Sequence, residues 1–169
     1  MIYTSIIESP LGAIRVAGEE NALTGLWFVD QKYYPSKVEF WVDKPDYEIF
    51  KEVGSWLEDY FSGKKITNLP RLEPKGTEFQ KVIWKILLEI PYGSVITYGE
   101  IAKKVASLRG LSSMSAQAVG GAVGHNPISI LIPCHRVVGS NGSLTGYAGG
   151  IEKKKALLNI EKANILNKI

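Results

Sequence analysis

A single cysteine, Cys134, stands in the run Asn126-Pro127-Ile128-Ser129-Ile130-Leu131-Ile132-Pro133-Cys134-His135-Arg136-Val137. A lone cysteine excludes an internal disulfide and any zinc site built from several thiolates. Taken alone it reads as a small core hydrophobe. Three neighbours point instead to nucleophilic chemistry. Pro133 fixes the backbone just before the thiol. His135 is a base that can generate the thiolate, the nucleophilic form. Arg136 adds a positive charge that favours the thiolate further. Adjacent side chains point apart in a strand, so a working Cys–His pair requires the chain to bend here.

The charge pattern says what such a nucleophile meets. The 169 residues carry a net charge of +3. Residues 1–74 hold 8 Lys/Arg against 12 Asp/Glu, and residues 75–169 hold 12 against 5, so −4 is joined to +7. Cys134 and both histidines, His125 and His135, lie in the basic part. A basic part joined to an acidic one points to a polyanionic partner. The 45% hydrophobic and 22% charged composition is that of a globular chain. No apolar run approaches the roughly 18 residues of a membrane helix, and the first residues lack a secretion signal's basic start. The expectation is a cytoplasmic protein with no membrane partner.

The elements that must position the chemistry follow from periodicity. Residues 2–8, 13–17 and 23–29 are strand-like runs separated by turn residues, which predicts an antiparallel meander. Ile49, Phe50, Val53, Trp56, Leu57, Tyr60 and Phe61 recur at helical steps up to Gly63. Residues 64–76, with Pro70, Pro74 and Gly76, read as a linker and domain boundary. Thr77-Glu78-Phe79-Gln80 and Thr97-Tyr98-Gly99-Glu100 are capping boxes that open two helices. Residues 115–124, rich in Ala and Gly, make a third helix, and the pair around the intervening turn resembles a helix-turn-helix. Residues 128–132 read as an apolar strand, and 151–161 as a last helix.

The Pro133-Cys134-His135-Arg136-Val137 motif resembles that of the O6-alkylguanine-DNA alkyltransferases, a family of direct-reversal DNA repair proteins. Gly120-Gly121, Asn126-Pro127, the loop Gly146-Tyr147-Ala148-Gly149-Gly150 and Glu161, 27 residues after Cys134, complete the pattern. The resemblance spans Phe79 to Glu161; over residues 1–74 it rests on the order of elements. It implies an α+β protein. A ribonuclease H-like sheet-and-helix domain covers 1–72, and a winged helix-turn-helix-like domain that binds DNA and accepts the alkyl group covers 77–169. It further implies irreversible, stoichiometric transfer from O6-alkylguanine in double-stranded DNA to Cys134, by a monomer that needs no cofactor and no metal. The sequence leaves O4-alkylthymine open.

The roles come from the same resemblance. His135 relays its proton through a water to Glu161, activating Cys134. Asn126 ties the active-site turn to the recognition helix. Tyr98 pushes on the target phosphate and donates a proton toward guanine N3. Tyr147 and its loop wall the pocket, and backbone groups at Cys134, Val137 and Ala148 read the guanine edge. Gln117, Ala118, Gly121 and Arg136 join Val137, Tyr147 and Ala148 in the DNA- and substrate-binding set. The helix enters the minor groove, where sequence reading is poor, and the base is flipped out to reach the thiol. Gln117 departs from the arginine finger common in the family, and the stretch 103–114 is longer than usual. Three other readings compete: a damage-recognition protein without transfer, which the cysteine argues against; a Cys–His–Glu thiol hydrolase that turns over; and a helix-turn-helix regulator, which a small-residue helix suits poorly.

Overall fold

The computed structural model describes residues 1–66 and 68–162. The expected C-terminal domain runs to 169, and its residues 163–169 lie outside that range. The chain divides into one unit of Met1–Lys75 with Pro127–Ser129 and a second of Gly76–Asn126 with Ile130 onward. The α+β class read from the sequence is the one observed.

In the first unit, β-branched and aromatic runs form β1 (Tyr3–Ile7), β2 (Ile14–Glu19) and β3 (Ala22–Phe28), an antiparallel meander. Glu20 and Asn21 both take positive φ, 51° and 52°, closing the two-residue β2–β3 hairpin as primed turns require. Gly18 sits at a register shift in β2, where an added Cβ would lie 2.7 Å from the Ala22 carbonyl, so no larger residue fits. Helix α1 (Glu48–Phe61) buries Ile49, Phe50, Val53, Leu57 and Tyr60, one face at three- and four-residue steps.

Three expectations change here. The sheet is mixed, because β4 (Val42–Asp43) pairs parallel with β1. Two exposed residues carry no periodicity, so no pattern announced that strand. The stretch taken as linker is partly sheet edge: Leu23 donates to the Arg71 carbonyl at 2.9 Å and Glu73 to the Leu23 carbonyl at 2.8 Å. Residues 128–132 are not a strand. Ile128 makes one isolated bridge to Leu26, and Ile130 has φ of 70°, a rare conformation for a β-branched residue, which breaks extension. The apolar run is buried as a compact turn instead, with Leu131 and Ile132 inside.

The second unit begins with α2 (Glu78–Leu88), opened by the Thr77–Gln80 capping box, and α3 (Tyr98–Leu108), opened by the Thr97–Glu100 box. Helix α4 (Ala116–Gly124) follows, with the Ser115 hydroxyl accepting from Ala118 N–H at its start. Ile83, Trp84, Leu87, Ile101, Val105, Val119 and Val123 form the shared core. The Trp84 indole donates to the Ala122 carbonyl at 2.9 Å, fixing α4 against α2. Two short parallel strands, β5 (Ile96–Thr97) and β6 (Val137–Val138), and α5 (Ile151–Glu161) complete the unit. Among the described residues no helix is long and apolar enough to cross a membrane.

Candidate active site

Every side chain expected to carry chemistry lies in the second unit. The required bend exists: Cys134–Arg136 is a single 3-10 turn after Pro133, whose φ of −81° is the proline's own. The turn is tied from two directions. The Ile132 carbonyl accepts from Cys134 N–H at 2.8 Å and from Asn126 Nδ2 at 2.7 Å. Asn126 follows the α4 cap residue His125 and is buried, so its side chain joins the end of that helix to the turn. Its side chain also hydrogen-bonds the thiol.

Cys134 and His135 are both buried. Burial pushes the thiol pKa up, while the Asn126 hydrogen bond and the Lys154 charge pull it down. His135 Nε2 lies 2.6 Å from Glu161 Oε2. An ionised carboxylate only accepts, so Nε2 carries the proton and Nδ1 is the basic nitrogen. The water expected between these residues is replaced by a direct bond. Burial lowers the imidazole pKa, against the raising effect of Glu161, so the ring is neutral.

Glu161 is held on several sides. Besides His135 it accepts from Arg136 Nε at 2.8 Å, Arg136 Nη2 at 3.1 Å and Gly93 N–H at 3.3 Å. Burial raises the carboxyl pKa, but His135 and Arg136 outweigh it and bring the group down to about 2. This corrects two expectations for Arg136. Its guanidinium is directed to Glu161 and to the Ile90 carbonyl at 2.7 Å, and it rests over the Tyr92 ring at 5.8 Å. Its charge serves the carboxylate rather than the thiol, and its side chain is only 11% exposed, which leaves little of it for a nucleic acid.

Tyr98 opens α3, and its hydroxyl donates to the Thr145 carbonyl at 3.1 Å and the Gly146 carbonyl at 3.3 Å. Burial and the nearby Cys134 push its pKa up to about 12, so the proton is retained. Tyr147 is buried in the glycine loop beside it, and Ala148 is half-buried. Val137 is strand, and its carbonyl is taken by Lys154 Nζ at 2.5 Å. On α4, Gln117, Ala118 and Gly121 form an exposed face, while Val119, Ala122 and Val123 pack inward. A Cβ added at Gly121 meets nothing within 4 Å, so folding alone does not demand glycine there. Among the described residues no group of three or more His, Cys, Asp or Glu side chains is placed to hold a metal.

Residues 78–163 match the DNA-binding domain of 6-O-methylguanine DNA methyltransferase, and residues 2–70 match that family's ribonuclease-like domain. The chain belongs to this methyltransferase family. A methylated-DNA–protein-cysteine methyltransferase of Methanosarcina mazei is 46% identical over 164 residues, covering 97% of this chain and 99% of the relative. The one from Mycobacterium tuberculosis is 44% identical over 163 residues, 96% and 94% of the two chains. The crystal structure of the M. tuberculosis O6-methylguanine methyltransferase superposes with a TM-score of 0.83 at 43% identity, over 96% of this chain and 93% of that one. The M. tuberculosis protein in complex with DNA gives 0.81 at 42%, over 95% and 92%.

Sequence reasoning missed one side chain in this methyltransferase-family site. Lys154 is fully buried on α5, bonded to the Val137 and Thr145 carbonyls. The signal was present: Lys154, Leu157, Leu158 and Glu161 recur at helical spacing and form the buried face of α5. The lysine hides between two exposed-looking neighbours in Lys153-Lys154-Lys155.

Proposed function

We propose that this chain repairs alkylated DNA by moving the alkyl group of O6-alkylguanine onto its own Cys134. The observation that carries the reading is the Cys134–Arg136 turn, which presents a buried thiol next to a neutral imidazole already bonded to an ionised Glu161. His135 Nδ1 takes the thiol proton by way of a water, and Glu161 stabilises the imidazolium that results. The Cys134 Sγ–carbon bond forms as the carbon–O6 bond breaks. The electron pair moves into the purine, and the Tyr98 hydroxyl donates a hydrogen bond toward N3, which makes the leaving oxygen less anionic; the departing purine then takes its proton from solvent. The product is a thioether, which has no carbonyl for water to attack. The protein is therefore used once.

The target atom lies inside a duplex, so the nucleotide is turned out of the stack. The exposed face Gln117, Ala118 and Gly121 gives a helix surface with little bulk, suited to a close approach in the minor groove. The +7 of residues 75–169 supplies the phosphate attraction, so affinity falls with salt and hardly depends on sequence. The protein acts as a monomer in the cytoplasm and needs no cofactor.

Incubation with duplex DNA containing O6-methylguanine, followed by intact-protein mass measurement, tests the reading. One methyl equivalent per molecule, located on Cys134, is expected. Many turnovers per protein would favour a thiol hydrolase, and no uptake would favour damage recognition without transfer; either outcome discards the proposal.

Gln117→Arg tests the departure from the family's finger. A planar charge at this position contributes about 1.4 kcal/mol, so repair of duplex DNA should accelerate about tenfold. Dealkylation of free O6-benzylguanine, which needs no extrusion, should not change. Equal acceleration of both substrates would show that position 117 does not act through flipping.

A further inference from the structure

Helix α4 ends in a way that its own backbone does not complete. The carbonyls of its last turn, Gly121 to Gly124, need partners from beyond the helix. His125 N–H closes on the Gly121 carbonyl at 3.1 Å, the ordinary four-residue step. Asn126 N–H then shortens the step and closes on the Val123 carbonyl at 3.2 Å. The backbone thereby passes over the Ala122 carbonyl. Ala122 is buried, and an unmet carbonyl is costly there. Its partner comes from α2, where the buried Trp84 reaches it with the indole N–H at 2.9 Å. The ring is also held from its far edge, since a Cβ added at Gly76 would lie 2.4 Å from it.

The step that Asn126 takes decides what its side chain can touch. Its Nδ2 donates to the Ile132 carbonyl at 2.7 Å, and the same oxygen accepts from Cys134 N–H at 2.8 Å. A continuous run of contacts therefore leads from the indole, through the end of α4, to the residue that bears the thiol. Without the indole, the ordinary four-residue partner of the Ala122 carbonyl is Asn126 N–H. Taking that bond would lengthen α4 and draw the Asn126 side chain off the Ile132 carbonyl.

We propose that Trp84 is a positioning residue for Cys134: by occupying the Ala122 carbonyl, its indole N–H makes α4 stop where it does and keeps Asn126 on the active-site turn. Its part in repair rests on Cys134 being the alkyl acceptor, as proposed above; its hold on the turn does not.

Trp84→benzothienylalanine keeps the shape of the ring and removes only the donor. In hydrogen exchange, Cys134 N–H and the Asn126 side-chain amide should exchange about tenfold faster in this variant, while the Ile83 and Leu87 amides of α2 keep wild-type rates. A merely structural tryptophan would speed exchange throughout the unit by one factor, which overturns the assignment. Cys134 alkylation by iodoacetamide, followed between about pH 6 and 10, gives a second readout without DNA. Asn126 hydrogen-bonds the thiol, so losing its placement should move the midpoint up by about one unit. The other titratable groups near the thiol, His135 on the turn, Tyr98 on α3 and Lys154 on α5, are the same in every variant. Asn126→Ala should give the same shift, and the two changes together no more than Asn126→Ala alone. An unmoved midpoint, or shifts that add, also overturns the proposal. Should the analogue fail to fold, Trp84→Phe, which lacks the donor too, carries the same measurements. If the shifts prove non-additive but wild type takes no methyl from duplex DNA, the alkyl-transfer reading fails while the tie from Trp84 to the turn stands.

Discussion

Cys134→Ser should take up no alkyl group from O6-methylguanine in duplex DNA, over a period in which wild type reacts to completion. Serine keeps the shape of the residue and the hydrogen bond available from Asn126. It does not keep the chemistry. A hydroxyl holds its proton far more tightly than a thiol, and a neutral imidazole alone does not generate the alkoxide in a buried site. On the proposed function DNA binding rests on α4 and the basic surface, so the variant should bind as wild type does and form a stable complex with the damaged duplex. Mass measurement and a gel-shift titration read the two halves separately. Methyl uptake by the serine variant, or a modified residue other than Cys134 in wild type, would falsify the assignment of the nucleophile.

Glu161→Ala should be among the most destabilising single substitutions in the second unit. It leaves His135 without its carboxylate and Arg136 as a nearly buried charge without its partner. Removing one member of such a pair typically costs about 3–5 kcal/mol. Denaturant melts should show that loss, with Glu161→Gln falling between the two because it keeps one acceptor oxygen. The acid response gives an independent readout. The carboxyl titrates near 4.5 when exposed but at about 2 in the fold, so the unfolded chain takes the proton first as pH falls. Its contribution, about 3 kcal/mol, is complete above about 4.5 and is lost between there and about 2. His135, lowered from 6.5 by burial, works in the same sense: below that value the unfolded chain protonates first. Wild type should therefore weaken progressively into acid, and Glu161→Ala should lose the part of the slope below about 4.5. A wild-type stability that is flat between pH 6 and 3 would contradict the buried, ionised cluster.

Much of this arrangement was legible in the sequence because it is written in local terms. Capping boxes at Thr77 and Thr97 need only four residues to specify a helix start, and the structure places α2 and α3 there. The proline before Cys134 and the histidine after it demanded a bend, and a 3-10 turn supplies it. What remained hidden depends on groups far apart in the chain. Arg136 was read as an aid to the thiol because the two are neighbours, whereas Glu161, 25 residues away, captures it. Lys154 stands in a run of three lysines, and only the packing of α5 shows that it points inward. Residues 128–132 have strand composition but need a turn at that point, and burial of the apolar side chains overrides β propensity. The short β4 has no apolar pattern of its own and exists because β1 offers an open edge.

The placement of Glu161 has a consequence in time. It lies 26 residues after His135, in the last turn of α5. At synthesis rates of about 5–20 residues per second, roughly one to five seconds separate the emergence of the two partners. During that interval the nascent chain carries the cysteine and its neighbouring base, but the carboxylate that stabilises an imidazolium is still missing. On the proposed reaction, a single-use nucleophile that met an alkylating agent in those seconds would be spent before it could repair anything. Putting the third member of the cluster on α5 delays arming until that helix has been made.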